Sequence, residues 1–298
     1  MNITVSGASG FIGRRLLKVL GQAGHSLHVL SRHAGTNLPN GVRLSVWEPA
    51  KGPPPPESLE GADVIVHLAG EPVAQRWNAA TKRRIRESRV TGTRHVVEAL
   101  AALPRQPAAL ISASGIGYYG SRGEEVLDES ARPGRDFLAE LCVAWENEAR
   151  AAESLGIRVA IVRIGMVLDP QGGALQRMLP AFRLGAGGRL GSGRQWVSWI
   201  HLGDLIELVR FAIENPVRGA FNGTAPEPLR NLEFTRLLGA ALRRPSLFPV
   251  PEFGLRLLFG EMAGVLLASQ RAVPHAAEAA GFRFRFPQLG PALADLLR

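Results

Sequence analysis

N-I-T-V-S-G-A-S-G-F-I-G-R-R-L-L-K-V-L, residues 2–20, opens the chain and decides the fold. Residues 2–6 read as a short buried strand, and glycines follow at once as Gly7, Gly10 and Gly13. From there Phe11, Ile12, Leu16, Leu17 and Leu20 recur at helical spacing. Strand, glycine turn and helix together make a phosphate-cradling corner. Absent side chains let the backbone approach a pyrophosphate, and the helix N-terminus offers unpaired N–H groups with a partial positive charge. Gly-x-x-Gly-x-x-Gly is a weak signal among 34 glycines. Its setting, with a second strand following at residues 27–30 (L-H-V-L), gives it weight. Gly7, Ser9, Gly10, Phe11, Ile12 and Gly13 are the expected contacts of that corner.

Working outward, strands are expected at 42–47, 63–68, 108–114 and 158–164, with helices at 78–102 and 134–155. The run 63–68 (D-V-I-V-H-L) is continuously apolar, as a strand covered on both faces should be, and ends in Leu68-Ala69-Gly70. Strands alternating with helices predict an α/β fold. Its form is a Rossmann-type doubly wound parallel sheet with right-handed crossovers, the ligand lying at the carboxyl ends of the strands. Beyond Gly165 the pattern loosens. Helices are expected at 174–184, 202–214, 231–242 and 253–267, with strands at 196–200 and 220–222. Residues 32–40 read as a polar loop, and 51–57 (K-G-P-P-P-P-E) as a proline-stiffened one. The Pro-rich stretch 244–251 reads as a linker. The expected organisation is a cofactor-binding domain over 1–245, its Rossmann core about 1–165. A smaller substrate-side helical module occupies 246–298.

With 298 residues and 46% hydrophobic content, the chain can bury a sizeable core. Its single cysteine, Cys142, excludes an internal disulfide and a cysteine-based metal site, which points to the cytoplasm. No signal peptide is read at the start. The apolar stretch 253–268 is broken by Arg256 and Glu261 and is too short to span a bilayer, so no membrane partner is expected. A net charge of +9 invites a nucleic-acid reading. Only Lys18, Lys51 and Lys82 among the 35 basic residues are lysine, and the one cluster (Lys82, Arg83, Arg84, Arg86, Arg89, Arg94) has no interleaved aromatics for bases to stack on. Anionic small molecules are the expected partners, not nucleic acid. A homodimer is left open. No His, Cys, Asp and Glu set has metal-ligand spacing, and no Gly-x-Ser-x-Gly elbow is present.

An NAD-specific site usually carries Asp or Glu at the end of the second strand, for the ribose 2′-hydroxyl. Here Ser31-Arg32-His33 stands there with no acid nearby in sequence. Arg32 can pair with a 2′-phosphate and lay its guanidinium plane on the adenine, assisted by Arg14. NADP(H) is therefore expected over NAD(H). The alternative for Arg32 is a solvated loop arginine.

The run Gly7 to Gly13, Leu68-Ala69-Gly70, Ser88-Arg89-Val90-Thr91-Gly92-Thr93 and residues 112–120 (S-A-S-G-I-G-Y-Y-G) resemble the extended short-chain dehydrogenase/reductases. Further motifs narrow the resemblance. These are Gly70-Glu71 with Arg76-Trp77-Asn78, Trp145-Glu146, Gly191-Ser192-Gly193, Trp199-Ile200-His201 and Asn222-Gly223-Thr224-Ala225-Pro226. They look like one atypical branch, whose members are called epimerase family proteins or, in some cases, cell-division inhibitors. The similarity runs nearly end to end, including a C-terminal module of unknown function from about Pro249. The resemblance implies a cofactor role for Leu68, Ala69, Gly70, Arg89 and Ser112. Arg89 is otherwise a solvated helix arginine, and Arg163, ending a strand, serves the cofactor or an anionic substrate.

That superfamily usually carries Tyr-x-x-x-Lys on one helix face, the tyrosine passing a proton and the lysine one turn later lowering its pKa. Here Phe137 stands in the tyrosine's place and Leu141 in the lysine's. Neither moves a proton, and the face Phe137, Leu141, Trp145, Ala149 reads as packing. What remains is Ser114, able to hydrogen-bond a substrate carbonyl or merely to cap the next helix, and the chain's two tyrosines, Tyr118 and Tyr119. Each tyrosine is a replacement acid or a ring for substrate to stack on. His201 and Asp204 read as a structural pair at a helix entry. Two functions are carried forward. One is an NADP(H)-dependent oxidoreductase or epimerase-like enzyme on a small anionic or nucleotide-linked substrate. The other is a non-catalytic NADP(H)-binding regulatory or redox-sensing protein.

Overall fold

A computed structural model describes residues 1–35 and 38–298. Positions 36 and 37, inside the expected loop 32–40, lie outside the described residues. The first half of the chain runs β1 (Asn2–Ser6), α1 (Phe11–Gln22), β2 (Ser26–Ser31), β3 (Arg43–Val46), β4 (Val64–His67), α2 (Ala79–Arg86), α3 (Gly92–Ala101), β5 (Ala109–Gly115), β6 (Val126–Leu127), α4 (Phe137–Arg150), β7 (Arg158–Ile164) and β8 (Met166–Asp169). It continues through α5 (Gly173–Arg183), β9 (Trp196–Val197), β10 (Trp199–His201), α6 (Leu202–Glu214), β11 (Gly219–Gly223), β12 (Leu229–Arg230) and α7 (Asn231–Ala241). The C-terminal part holds α8 (Glu252–Phe259), α9 (Ala263–Leu267), β13 (Arg271–Ala272), α10 (His275–Ala279) and α11 (Leu289–Leu296).

Seven parallel strands form the central sheet in the order β11-β7-β5-β4-β1-β2-β3. The chain builds outward from β1 through β2 and β3, then returns to β4 on its other side. That reversal opens a crevice at the carboxyl ends of β1 and β4, where such sheets bind ligands. Strand residues divide strictly between the two faces. Val64 and Val66 join the cluster under α1 and α6, with Ile3, Val5, Leu16, Leu20, Leu205 and Val209. Ile65 joins the opposite one, with Leu30, Leu100, Leu110, Ala149 and Ile161. Burial on both faces explains why 63–68 reads as one apolar run.

Several expected elements are subdivided. The helix expected at 78–102 contains a π turn at Glu87–Thr91, which carries Arg89. The helix expected from 134 starts at Phe137, because Asp136 caps it by accepting from the Ala139 N–H, and it closes in a 3₁₀ turn at Ala151–Leu155. The helix expected at 253–267 breaks at Gly260, whose φ of +60° no side-chain-bearing residue adopts readily. The strand expected at 196–200 is two: β9 pairs antiparallel with β12, and β10 pairs parallel with β8. Ser198 between them turns its hydroxyl to the Gln270 and Ala272 carbonyls.

Residues after 250 fold back onto the earlier chain. β13 pairs with β6, and Leu289, Ala292 and Leu293 of α11 join a core with Phe234 and Leu238 of α7. Asp204 accepts from the Arg285 and Phe286 N–H groups, and His201 stacks on Phe286 at 4.1 Å. His201 also caps α6 by accepting from the Gly203 N–H. The pair thus has the structural role expected for it.

Candidate functional site

The corner after β1 is shaped by backbone contacts. Gly7 has φ +74°, and a Cβ there would lie 2.6 Å from the Leu68 carbonyl carbon; one on Gly13 would lie 2.3 Å from the Gly7 oxygen. No side chain caps α1, whose N-cap is Gly10, so its first N–H groups are left for a ligand. Ser9 and Gly10 are exposed, while Phe11 and Ile12 are half-buried. Phe11 lies against the glycines before α5: a Cβ on Gly172 would come within 2.1 Å of its ring. Sequence reasoning had no signal for Gly172.

At the end of β2, Ser31 is buried and the Arg32 side chain is 59% exposed, its Nη1 3.8 Å from Glu71 Oε2. The second strand carries no acid along the sequence, but the fold returns one from the turn after β4. So exposed and long a pair holds little and yields to a better anion. In the Leu68-Ala69-Gly70 turn, Arg89 donates from Nη1 to the Glu71 carbonyl at 2.8 Å. Its guanidinium lies 5.1 Å over the Trp145 ring and so close to Gly70 that a Cβ there would be 2.8 Å from Cζ. Burial pushes Arg89 down to about 10, which leaves it cationic at neutral pH. It is not a solvated arginine. It props the turn from beneath.

The carboxyl ends of β5, β7 and β11 carry one row of polar side chains. Ser114 pairs in register with Arg163, and Arg163 with Asn222, so all three project from the same face of adjacent strands. Glu146 reaches this row from α4. Arg163 forks onto it, Nε to Oε1 at 2.8 Å and Nη2 to Oε2 at 2.9 Å, and the Ser114 hydroxyl donates to Oε1 at 2.8 Å. Arg163 Nη1 donates to the Tyr119 hydroxyl at 3.0 Å, which in turn donates to Asn222 Oδ1 at 2.7 Å. Asn222 continues to the Leu127 and Val273 carbonyls, tying the row to β6 and the C-terminal segment.

This network corrects three expectations. Arg163 is 2% exposed and faces Glu146, Tyr119 and the Glu129 carbonyl, so it is not presented to a cofactor or substrate. Burial works against its charge, but the hydrogen bonds and field of Glu146 prevail and hold its pKa above the usual value. Tyr119 is fully buried with its hydroxyl engaged on both sides, and burial pushes its pKa up to about 12, so its proton stays committed to Asn222. Ser114, 4% exposed, sends its proton inward to Glu146, so it does not present the donor a substrate carbonyl needs. Ser112 is likewise buried, its hydroxyl directed at the Ala113 carbonyl. Burial pushes Cys142 up to about 11, leaving it an unreactive thiol.

Tyr118 stands apart. Its ring packs 3.5 Å from the Arg163 guanidinium and edge to face with Tyr119, and its hydroxyl bonds no other described residue. Phe137 and Leu141 pack as expected. Phe137 meets Trp77 edge to face at 5.3 Å, and Leu141 is buried in the same cluster as Ala113, Trp145 and Met262. No group of three His, Cys, Asp or Glu among the described residues could hold a metal ion. Nor is any helix among them long and apolar enough to cross a membrane. Glu146 was within the reach of sequence reasoning: it is a carboxylate on the helix stripe of Cys142 and Ala149, and an acid on a buried stripe signals a buried cation.

Residues 3–224 match the NAD dependent epimerase/dehydratase family, and residues 250–296 match a domain of unknown function (DUF1731). The chain is 41% identical over 311 residues to the "Epimerase family protein SDR39U1 homolog, chloroplastic" of Arabidopsis thaliana, covering 100% of this chain and 87% of that one. It is 38% identical over 299 residues to epimerase family protein YfhF of Bacillus subtilis, with 100% and 98% coverage. Among solved structures, that of human epimerase family protein SDR39U1 (isoform 2) with NADPH superposes with a TM-score of 0.89 at 34% identity, over 99% of both chains. The strand-order reversal at β1/β4, the glycine cradle beside it and end-to-end similarity to these proteins agree: the chain belongs to the NAD dependent epimerase/dehydratase family, in its atypical SDR39U1-type branch.

Proposed function

We propose that the chain binds NADP(H) in the β1/β4 crevice and is an oxidoreductase or epimerase-like enzyme on a small anionic substrate, working without a Tyr-x-x-x-Lys relay. The observation that carries the reading is the cradle at Gly7 and Gly13, too tight for any Cβ, beside a β2 end bearing Arg32 and no acid of its own. In this reading Gly7, Ser9, Gly10, Phe11, Ile12 and Gly13 offer backbone and α1 N–H groups to the pyrophosphate. Arg32 leaves Glu71 for the 2′-phosphate, and Ser31 bounds the adenosine. The turn Leu68-Ala69-Gly70, propped by Arg89, forms the floor toward the ends of β4 and β5, where Ser112 and Ser114 lie. The human relative solved with NADPH supports the choice of cofactor.

The nicotinamide, when bound, supplies or takes up a hydride. The chain's own proton chemistry is narrower than the family's usual set. Ser114 has its proton committed to Glu146, and Tyr118 is the tyrosyl group left to give a proton. The test is transfer of deuterium from 4-deuterated NADPH to a panel of carbonyl compounds and nucleotide sugars. Label is expected in product, with turnover lost in Tyr118→Phe. A second reading, a non-catalytic NADP(H)-binding regulator, draws on one observation: Phe137 and Leu141 are apolar while Ser114 and Tyr119 are committed to the buried row. Tight NADPH binding with no transfer across the panel selects it.

A further inference from the structure

Lys82, one of three lysines in the chain, projects from α2 toward the first turn of α4. Its Nζ lies 5.2 Å from the ring centroid of Phe137 and 6.0 Å from that of Trp77, and it pairs with the Glu261 carboxylate in the turn after α8. Phe137 stands where the family resemblance puts the missing tyrosine, and the ammonium lies beside its ring. Val73, Leu138, Met262 and Phe259 pack around the two rings. The result is an apolar surface at which the Lys82 ammonium is held over ring faces that attract it. The carboxylate on that cation belongs to the C-terminal segment and is 64% exposed, against 28% for Lys82. A pair so open to water holds weakly, and another anion can replace it. Arg76 adds only a 3.5 Å hydrogen bond to the Leu257 carbonyl at the same end of α8.

We propose that Lys82 is the residue that binds the anionic group of the substrate, and that Glu261 holds its place until substrate arrives. The substrate class is a carboxylate with an apolar body: the carboxylate replaces Glu261 on Lys82, and the body lies against the half-buried Phe137, Val73 and Phe259. A nucleotide sugar fits this surface poorly. Its hydroxyls ask for several polar partners, and unpaired polar groups resist burial against aromatic rings. The proposal rests on the NADP(H)-dependent reading and deepens it.

Calorimetric titration of the NADPH-loaded protein tests it, with 4-phenylbutyrate, the uncharged 4-phenylbutyramide and UDP-glucose as probes. The carboxylate is expected to bind about tenfold tighter than the amide, and Lys82→Met to remove that difference while Lys82→Arg keeps it. Glu261→Gln, a surface change that does not threaten folding, is expected to tighten the carboxylate about threefold. NADPH affinity stays the same in all three variants. Equal binding of acid and amide, no binding of the acid, preference for UDP-glucose, or no gain in Glu261→Gln overturns the proposal. Failure of the unaltered protein to bind NADPH overturns the cofactor reading instead, so the two failures are distinguishable.

Discussion

Replacing Arg163 with Met takes the cation out of the buried row at the carboxyl edge of the sheet. Glu146, 3% exposed, then keeps only the Ser114 hydroxyl and Arg150 at 3.3 Å, the latter on a side chain 37% exposed. Removing one partner of a buried ion pair costs about 3–5 kcal/mol, because the remaining charge stays desolvated. Tyr119 loses an incoming donor but keeps its own bond to Asn222, which adds at most about 1 kcal/mol. For a chain of this size each kcal/mol moves Tm by about 2–4 °C, so Arg163→Met should melt about 6–24 °C lower. The double variant Arg163→Met/Glu146→Met removes both charges, and apolar replacement of a buried pair is often near neutral. It should therefore be more stable than either single variant, with a coupling of about 2–3 kcal/mol in urea unfolding followed by circular dichroism. The same samples, titrated with NADPH, should bind within about twofold of the unaltered protein. Additive destabilisation in the double variant would refute the network argument. A folded Arg163→Met with tenfold weaker NADPH binding would return Arg163 to the cofactor.

Arg32→Ala should weaken NADPH by about ten- to a hundredfold, far more than NADH, in fluorescence titration; equal loss for both would remove the 2′-phosphate role. Burial pushes His67 from 6.5 down to about 4, so between those pH values the unfolded chain binds a proton that the fold refuses, and stability falls as pH is lowered. That group alone accounts for about 3 kcal/mol, and His67→Gln should flatten the acid limb of the stability curve by that amount; identical limbs would count against it. Tyr119 shows the opposite sign. The unfolded phenol ionises near 10 and the folded one near 12, so stability is complete below pH 10 and falls between 10 and 12. Tyr119→Phe should lose that fall, measured by urea titration across the interval.

The cofactor corner and the missing relay were both legible in sequence, because each is local. A glycine pattern between a strand and a helix states its own geometry, and positions four apart on one helix share a face whatever surrounds them. The helix boundaries were less so. The π turn at Glu87–Thr91 and the break at Gly260 answer to neighbours outside their own segments. Two-residue strands such as β6 and β13, paired across more than a hundred residues, leave no periodicity to read.

By itself the sequence determined the parallel α/β core, the glycine cradle, the arginine at the end of the second strand, and the loss of Tyr and Lys from α4. Only the tertiary structure decided where Ser114, Tyr119 and Arg163 direct their polar atoms. Strand register places Ser114, Arg163 and Asn222 side by side, and Glu146 descends on them from α4. Each reads alone as a group free to serve a ligand. Packed together away from water, their charges and hydrogen bonds must satisfy one another, and side-chain identity does not reveal which partner folding will bring.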